Sequence, residues 1–180
     1  MLTFAGLTAL HLMGFPELRH QAGTQHPIQV CVPAPGARSK VKGVNFLSWP
    51  LPYEVSTHEI NDRTIQIVDP VTASLQALRF LDQIEAVLLF DSLLNRNASN
   101  RTSTLVTLET RILGPQRFKG KATAKWALCH TREGTDSPME SRVRIKLWKS
   151  RFPEPVINYP IVHPTTGERW FADMAYPRLR

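Results

Sequence analysis

The amino-acid sequence predicts an α+β protein: a small antiparallel β region first, a helical middle, and a helix–strand–strand unit last. Three observations carry this. Apolar residues alternate with period two in the first third, as Ile28, Val30, Val32 and again Ile65, Ile67. From Asp69 the spacing becomes helical, with Val71, Leu75, Leu78 and Leu81. Beyond residue 137 a strong helix start precedes two β-like runs around an HPTTG turn.

The elements follow in order. Residues 1–12 are apolar and read as a helix ended by Gly14 and Pro16. Residues 24–33 and 44–49 read as strands, joined by the turn-rich, basic PAPGARSKVKG. Residues 59–68 hold a polar turn at Asn61-Asp62 and a further strand. An antiparallel sheet is the economical arrangement of these pieces. Asp69-Pro70 then supplies a helix N-cap and a proline for the first helical position. Residues 82–94 form a second apolar helix, 95–104 a polar loop, 104–113 a third helix, and 118–129 a short fourth one. GTDS at 134–137 marks a linker. After it, Ser137, Pro138 and Glu140 form a capping signature, and Met139, Val143 and Leu147 an i, i+4, i+8 apolar stripe. Pro153 and Pro155 stop that helix. Residues 156–162 and 170–176 read as the two strands of a hairpin.

Composition excludes several classes. The chain has 180 residues, 42% apolar and 21% charged, which suits a folded protein long enough to bury a core. Its two cysteines, Cys31 and Cys129, make neither a disulfide framework nor a zinc knuckle, and a reducing compartment fits them. The apolar N-terminus lacks a positively charged leader and is shorter than the roughly 20 residues a bilayer span needs, so a cytoplasmic protein without membrane contact is expected. The six histidines have no zinc spacing, and GxSxG, P-loop and GxGxxG are absent.

Charge is concentrated. Between Arg111 and Arg151 stand eleven Lys/Arg against three acids, while the rest of the chain is close to neutral. Such a block suits a polyphosphate, because neutralising phosphates releases counterions; a solvated helix face is the plainer alternative. Arg117, Lys119, Lys121, Lys125, Arg142, Lys146 and Lys149 are the candidate DNA contacts, made to phosphates and therefore without sequence preference. Trp126, Trp148 and Trp170 lie near the block; they can stack on bases, but packing is the commoner use.

Two acids stand out. Glu140 sits where a capping box places a Glu, which alone explains it. Asp173 lies in the apolar run WFADMAYP, where an acid is costly unless it is hydrated, paired or bound to a metal. The runs SPMESRVR, FPEPVINYPI and GERWFADMAYP together resemble the opening of a nuclease-like domain related to very-short-patch-repair endonucleases, the PD-(D/E)XK group. That domain commonly closes actinobacterial proteins of the AbiEi antitoxin kind. Upstream, LTALHLMGFP is similar to the tail of that family's winged-helix region, IQVCVPAPGARSKVKGVNF to its next strand pair, and IQIVDPVTASLQAL with AVLLFDSLL to its central helices.

The resemblance implies three parts: 1–20, a winged-helix remnant; 21–133, a β and then helical middle; and 134–180, a partial restriction-endonuclease-like αββ unit. It implies that Glu140 and Asp173 are catalytic and Mg²⁺-binding carboxylates, since Mg²⁺ takes oxygen ligands and bridges water to phosphate. The family continues with a strand bearing further acids. Here the sequence ends at Arg180, so the expectation is a site that holds Mg²⁺ only if completed, and a DNA-associated protein without turnover of its own. The alternative implied function is a type IV toxin–antitoxin antitoxin or transcriptional regulator acting without catalysis, with a toxin or a second copy as protein partner.

Overall fold

A computed structural model describes residues 2–16, 27–95 and 104–179. The protein combines helices with a mixed five-stranded sheet and a separate two-stranded antiparallel sheet. The chain opens as a strand, not as the expected helix: Thr3–Phe4 is β1, and only Gly6–Leu12 is helical, as α1. Gly6 makes the corner between them. Its φ of +52° is left-handed, and a Cβ there would meet Gln29 Oε1 at 2.1 Å. α1 has no capping side chain of its own. Instead the Gly6 N–H donates to Gln76 Oε1 at 3.0 Å and the Leu7 N–H to Gln29 Oε1 at 2.8 Å. Two buried glutamines thus satisfy donors that a buried helix start would otherwise orphan.

β1 lies in the middle of the first sheet, antiparallel to β2 (Ile28–Val32) and parallel to β5 (Arg63–Val68). β3 (Val44–Ser48) pairs with β2 in parallel, and β4 (Val55–Ile60) with β5 antiparallel. The order is β3-β2-β1-β5-β4, so the sheet is mixed rather than antiparallel throughout. The β4–β5 turn is the Asn61-Asp62 pair, with φ of +49° and +59°, as a tight hairpin requires. Of the first expected strand, 24–26 lie outside the described residues, as do 96–103 of the polar loop.

The helices start where their caps stand. Asp69 accepts from the Thr72 N–H at 2.9 Å ahead of α2 (Pro70–Ala77), and Asp82 from the Glu85 N–H at 2.9 Å ahead of α3 (Gln83–Leu94). A 3₁₀ turn, Leu78–Phe80, joins them. α3 is the hub. Ala86 through Phe90, Leu93 and Leu94 are all buried, and α2, α5 and α6 pack around it. α4 (Leu105–Leu113) is capped by Thr104. α5 (Lys121–His130) begins three residues later than its apolar pattern predicts, because Gly120 is left-handed at φ +94°. A Cβ at Gly120 would meet Leu78 Cβ at 2.9 Å, so this glycine lets the α4–α5 loop press against the 3₁₀ turn.

α6 (Pro138–Lys149) is capped by Ser137, whose Oγ accepts from the Glu140 N–H at 3.2 Å. Its rotation differs from expectation. Two residues of the apolar stripe face outward, Met139 61% and Val143 37% exposed, and Leu147 is half-buried, while Ser141, Arg144 and Ile145 are buried. β6 (Val156–Val162) and β7 (Arg169–Ala175) then form the antiparallel pair, leaving Ile161, Val162, Trp170 and Phe171 exposed. Both cysteines are free thiols. No helix among the described residues is long and apolar enough to cross a membrane.

Candidate nucleic-acid interface

The orientation of α6 follows from one buried ion pair. Arg144 donates to Asp91 Oδ2 of α3 at 2.7 Å, with both side chains 1% exposed. It also donates to Glu154 Oε1 at 3.0 Å and to the His130 carbonyl at 2.8 Å. Asp91 accepts in addition from the Arg132 N–H at 2.8 Å, and Arg132 reaches Glu154 Oε2 at 2.8 Å. Burial pushes the Asp91 carboxyl above its ordinary value, against the pull of the Arg144 charge and the hydrogen bonds from Ser141 and the Arg132 amide. An arginine buried on α6 with its charge satisfied turns Met139 and Val143 to the outside. Arg144, one of the eleven cations of the basic block and not among its candidate DNA contacts, is part of the interior.

The two singled-out acids have different surroundings. Glu140 is half-buried at the start of α6, and its Oε2 accepts from the Asp136 N–H at 3.0 Å. That is a capping contact one residue before the Ser137 N–H that the predicted capping box would engage. Asp173 is exposed on β7, so the cost of burying an acid does not arise. The ladder pairs 157 with 174 and 159 with 172, which sets Asn158 across from Asp173. Asn158 has a left-handed φ of +49°, and its amide donates to the Gly134 carbonyl in the segment leading into α6. The hairpin is therefore tied to the α6 entry at the level of Asp173. Among the described residues no group of three or more His, Cys, Asp or Glu is placed to hold a metal ion. Two acids, one holding a helix cap, do not make the near-octahedral oxygen site that Mg²⁺ demands.

The fold separates ten of the block's eleven cations into three groups, with Arg151 exposed just beyond the end of α6. Arg111, Lys121, Arg132 and Arg144 bind protein oxygens: Arg111 donates to Thr72 Oγ1 at 2.7 Å, and the Lys121 ammonium to the Gly114 and Gln116 carbonyls. Lys121 is thus held inside the α4–α5 loop. Arg117 and Lys119 line a cleft shared with Arg38 and Arg79, from parts of the sequence outside the block. Arg142, Lys146 and Lys149 follow i, i+4, i+7 spacing along the outer face of α6, with Lys125 exposed on α5. Lys149 sits over the Trp126 ring at 5.7 Å. Trp126 stacks on His130 at 4.0 Å, and Trp148 meets His130 edge-on at 4.3 Å, so these rings bridge α5 to α6. Trp170, by contrast, packs against His163 at the hairpin turn.

Asp91, Glu154, Arg38 and Arg79 were not singled out from sequence. An acid inside the apolar run of α3 was a legible signal for Asp91; the others carry no local mark. Comparison with protein-family models, with curated proteins and with solved structures found no match.

Proposed function

We propose that this chain is a DNA-associated protein of the nuclease-like kind its C-terminal motifs resemble, holding duplex phosphates without cleaving them. The observation that carries the proposal is the outer face of α6. Arg142, Lys146 and Lys149 stand there on one helical stripe, with no ion pair to any described residue. At 1.5 Å per residue the stripe is about 10 Å long, which matches about three phosphates along one strand. The α6–β6–β7 order and the Asn158 tie at the level of Asp173 support the αββ reading. Engagement of Glu140 in the cap speaks for binding rather than turnover.

Three phosphate contacts imply that log affinity for a duplex falls against log salt with a slope of about −2.7. Anisotropy titrations of a labelled duplex from low to physiological salt measure it. The combined Arg142→Ala, Lys146→Ala, Lys149→Ala variant is expected to bring the slope close to zero. A wild-type slope near zero ends the phosphate-contact reading. Plasmid nicking with Mg²⁺ that disappears in Asp173→Ala would show a working nuclease and end the non-catalytic one.

One observation favours a second reading, a regulator acting through protein contacts. Ile161 and Trp170 are exposed on one face of the hairpin and Val162 and Phe171 on the other, and Met139 and Val143 on α6 are exposed as well. On this reading the partner is a toxin or a second copy. Sedimentation of the purified chain separates self-association from a monomer.

A further inference from the structure

We propose that the cleft between the end of β3, the 3₁₀ turn after α2 and the α4–α5 loop is a binding site for a phosphomonoester of nucleotide size. The cleft encloses about 580 Å³, and four of its lining side chains are cations: Arg38, Arg79, Arg117 and Lys119. No acid lines it. These cations come from three separate stretches of sequence, so the cluster is a product of the fold rather than of a local charge run.

Two of the lining residues carry a buried donor without an acceptor. Trp49 Nε1 and Arg79 Nε are both shielded from water with no hydrogen-bond partner among the described residues. Donors sealed from water lie behind the cleft wall, beyond the reach of a ligand seated in it, so the four lining cations select the ligand. Burial, and next the Arg38 charge, hold the Arg79 guanidinium below its ordinary pKa. Two guanidiniums that line one cleft, with no acid among its described lining residues, are relieved by an anion. Arg38 is held toward the cleft by Ser48 Oγ at 2.8 Å. Gly120, pressed on Leu78, brings the loop bearing Arg117 and Lys119 beside Arg79.

Ligand class follows from charge and volume. Four cations without an acid suit a group carrying about two negative charges, and planar guanidinium forks match phosphate oxygens. The volume lies in the range of small-molecule pockets and exceeds what a bare phosphate fills. Pro33, Pro50 and the Phe118 ring give an apolar wall for a flat base. Such a phosphate belongs either to a free nucleotide or to the 5′ end of a strand. The site does not depend on the α6 stripe or on the nuclease resemblance.

The test is calorimetry of the full chain with four probes: AMP, inorganic phosphate, and one single-stranded oligonucleotide in 5′-phosphorylated and 5′-hydroxyl forms. Saturable binding of AMP, stronger than that of inorganic phosphate, identifies a free nucleotide. Binding of the phosphorylated strand alone identifies a strand end. Arg79→Gln is expected to weaken the bound probe about tenfold or more, the loss of one charge-assisted hydrogen bond. Arg38→Ala and Lys119→Ala, in exposed loops, weaken it about three- to tenfold, while Lys42→Ala does not. The variant lacking the α6 stripe should lose duplex binding and keep AMP binding, which separates the two sites. No saturation with AMP or the phosphorylated strand overturns the proposal. Where AMP does not saturate, equal binding of the two strand forms overturns it too, as does affinity that Arg38→Ala and Lys119→Ala leave unchanged.

Discussion

Replacing Arg144 by Met tests how the interior is held together. The substitution keeps an unbranched stem out to the position of Nε and removes the charge and the donors beyond it. Three acceptors lose a partner: Asp91 Oδ2, Glu154 Oε1 and the His130 carbonyl. They do not weigh equally. Glu154 is one-third exposed and keeps Arg132, so its share is below about 1 kcal/mol. The His130 carbonyl loses one hydrogen bond, about 1 kcal/mol. Asp91 decides the outcome. At 1% exposure it keeps the Arg132 N–H but has no countercharge, and breaking a buried pair in this way costs about 3–5 kcal/mol. That is a large fraction of the stability of a domain this size, roughly 5–15 kcal/mol. Urea unfolding followed by tryptophan fluorescence should show a midpoint lowered by about 2 M at a typical slope. A loss below about 1 kcal/mol would refute the reasoning.

The same variant has a pH signature. Burial already raises the folded-state pKa of Asp91 above 3.8, and Arg144 is the largest opposing pull. Without Arg144 the value climbs further. A folded pKa above the unfolded one means the native state binds more protons, so stability falls as pH rises through that window. The penalty of Arg144→Met should therefore be smaller at pH 5 than at pH 8. A penalty that grows on acidification would mean that Asp91 is not the group left uncompensated.

The two glycine corners give further expectations. Gly6→Ala forces a left-handed φ on alanine and drives Cβ into Gln29 Oε1, which already accepts from Leu7; a loss of about 2–4 kcal/mol in urea unfolding is expected. Gly120→Ala meets Leu78 and the same backbone penalty, with a loss of about 1–3 kcal/mol and weaker AMP binding, because the loop carrying Arg117 and Lys119 must move away from Arg79. Unchanged stability in either would show that the local backbone relaxes more freely than these contacts allow.

Much of the fold was legible locally because its signals are local. Asp69, Asp82 and Ser137 cap the helices that their positions announce, and the Asn61-Asp62 turn and the C-terminal hairpin lie within a residue or two of their predicted places. What was not legible depends on partners far away in sequence. Thr3 and Phe4 are a strand because they fill a slot between β2 and β5, and no periodicity in an apolar run reveals that slot. The parallel pairing of β2 with β3 is likewise set by the connection between them, not by alternation. Of the candidate site, the cap at Glu140 was visible in its spacing. The cleft was not, since Arg38, Arg79 and Arg117 belong to different stretches of chain.

α6 shows why charge density along a sequence is a poor guide to a charged surface. Met139, Val143 and Leu147 form an apolar stripe that hydrophobicity alone would turn inward. Successive residues on a helix lie about 100° apart, so turning that stripe inward would carry the neighbouring Arg142 and Lys146 toward the packed side. The Asp91 carboxylate on α3 selects the other rotation, by burying Arg144 in their place. One acid in the hub helix, 53 residues away in sequence, thereby decides which of the late cations become interior and which remain free to meet a phosphate. The surface read as a single basic block is the remainder after the core has taken the cations it needs.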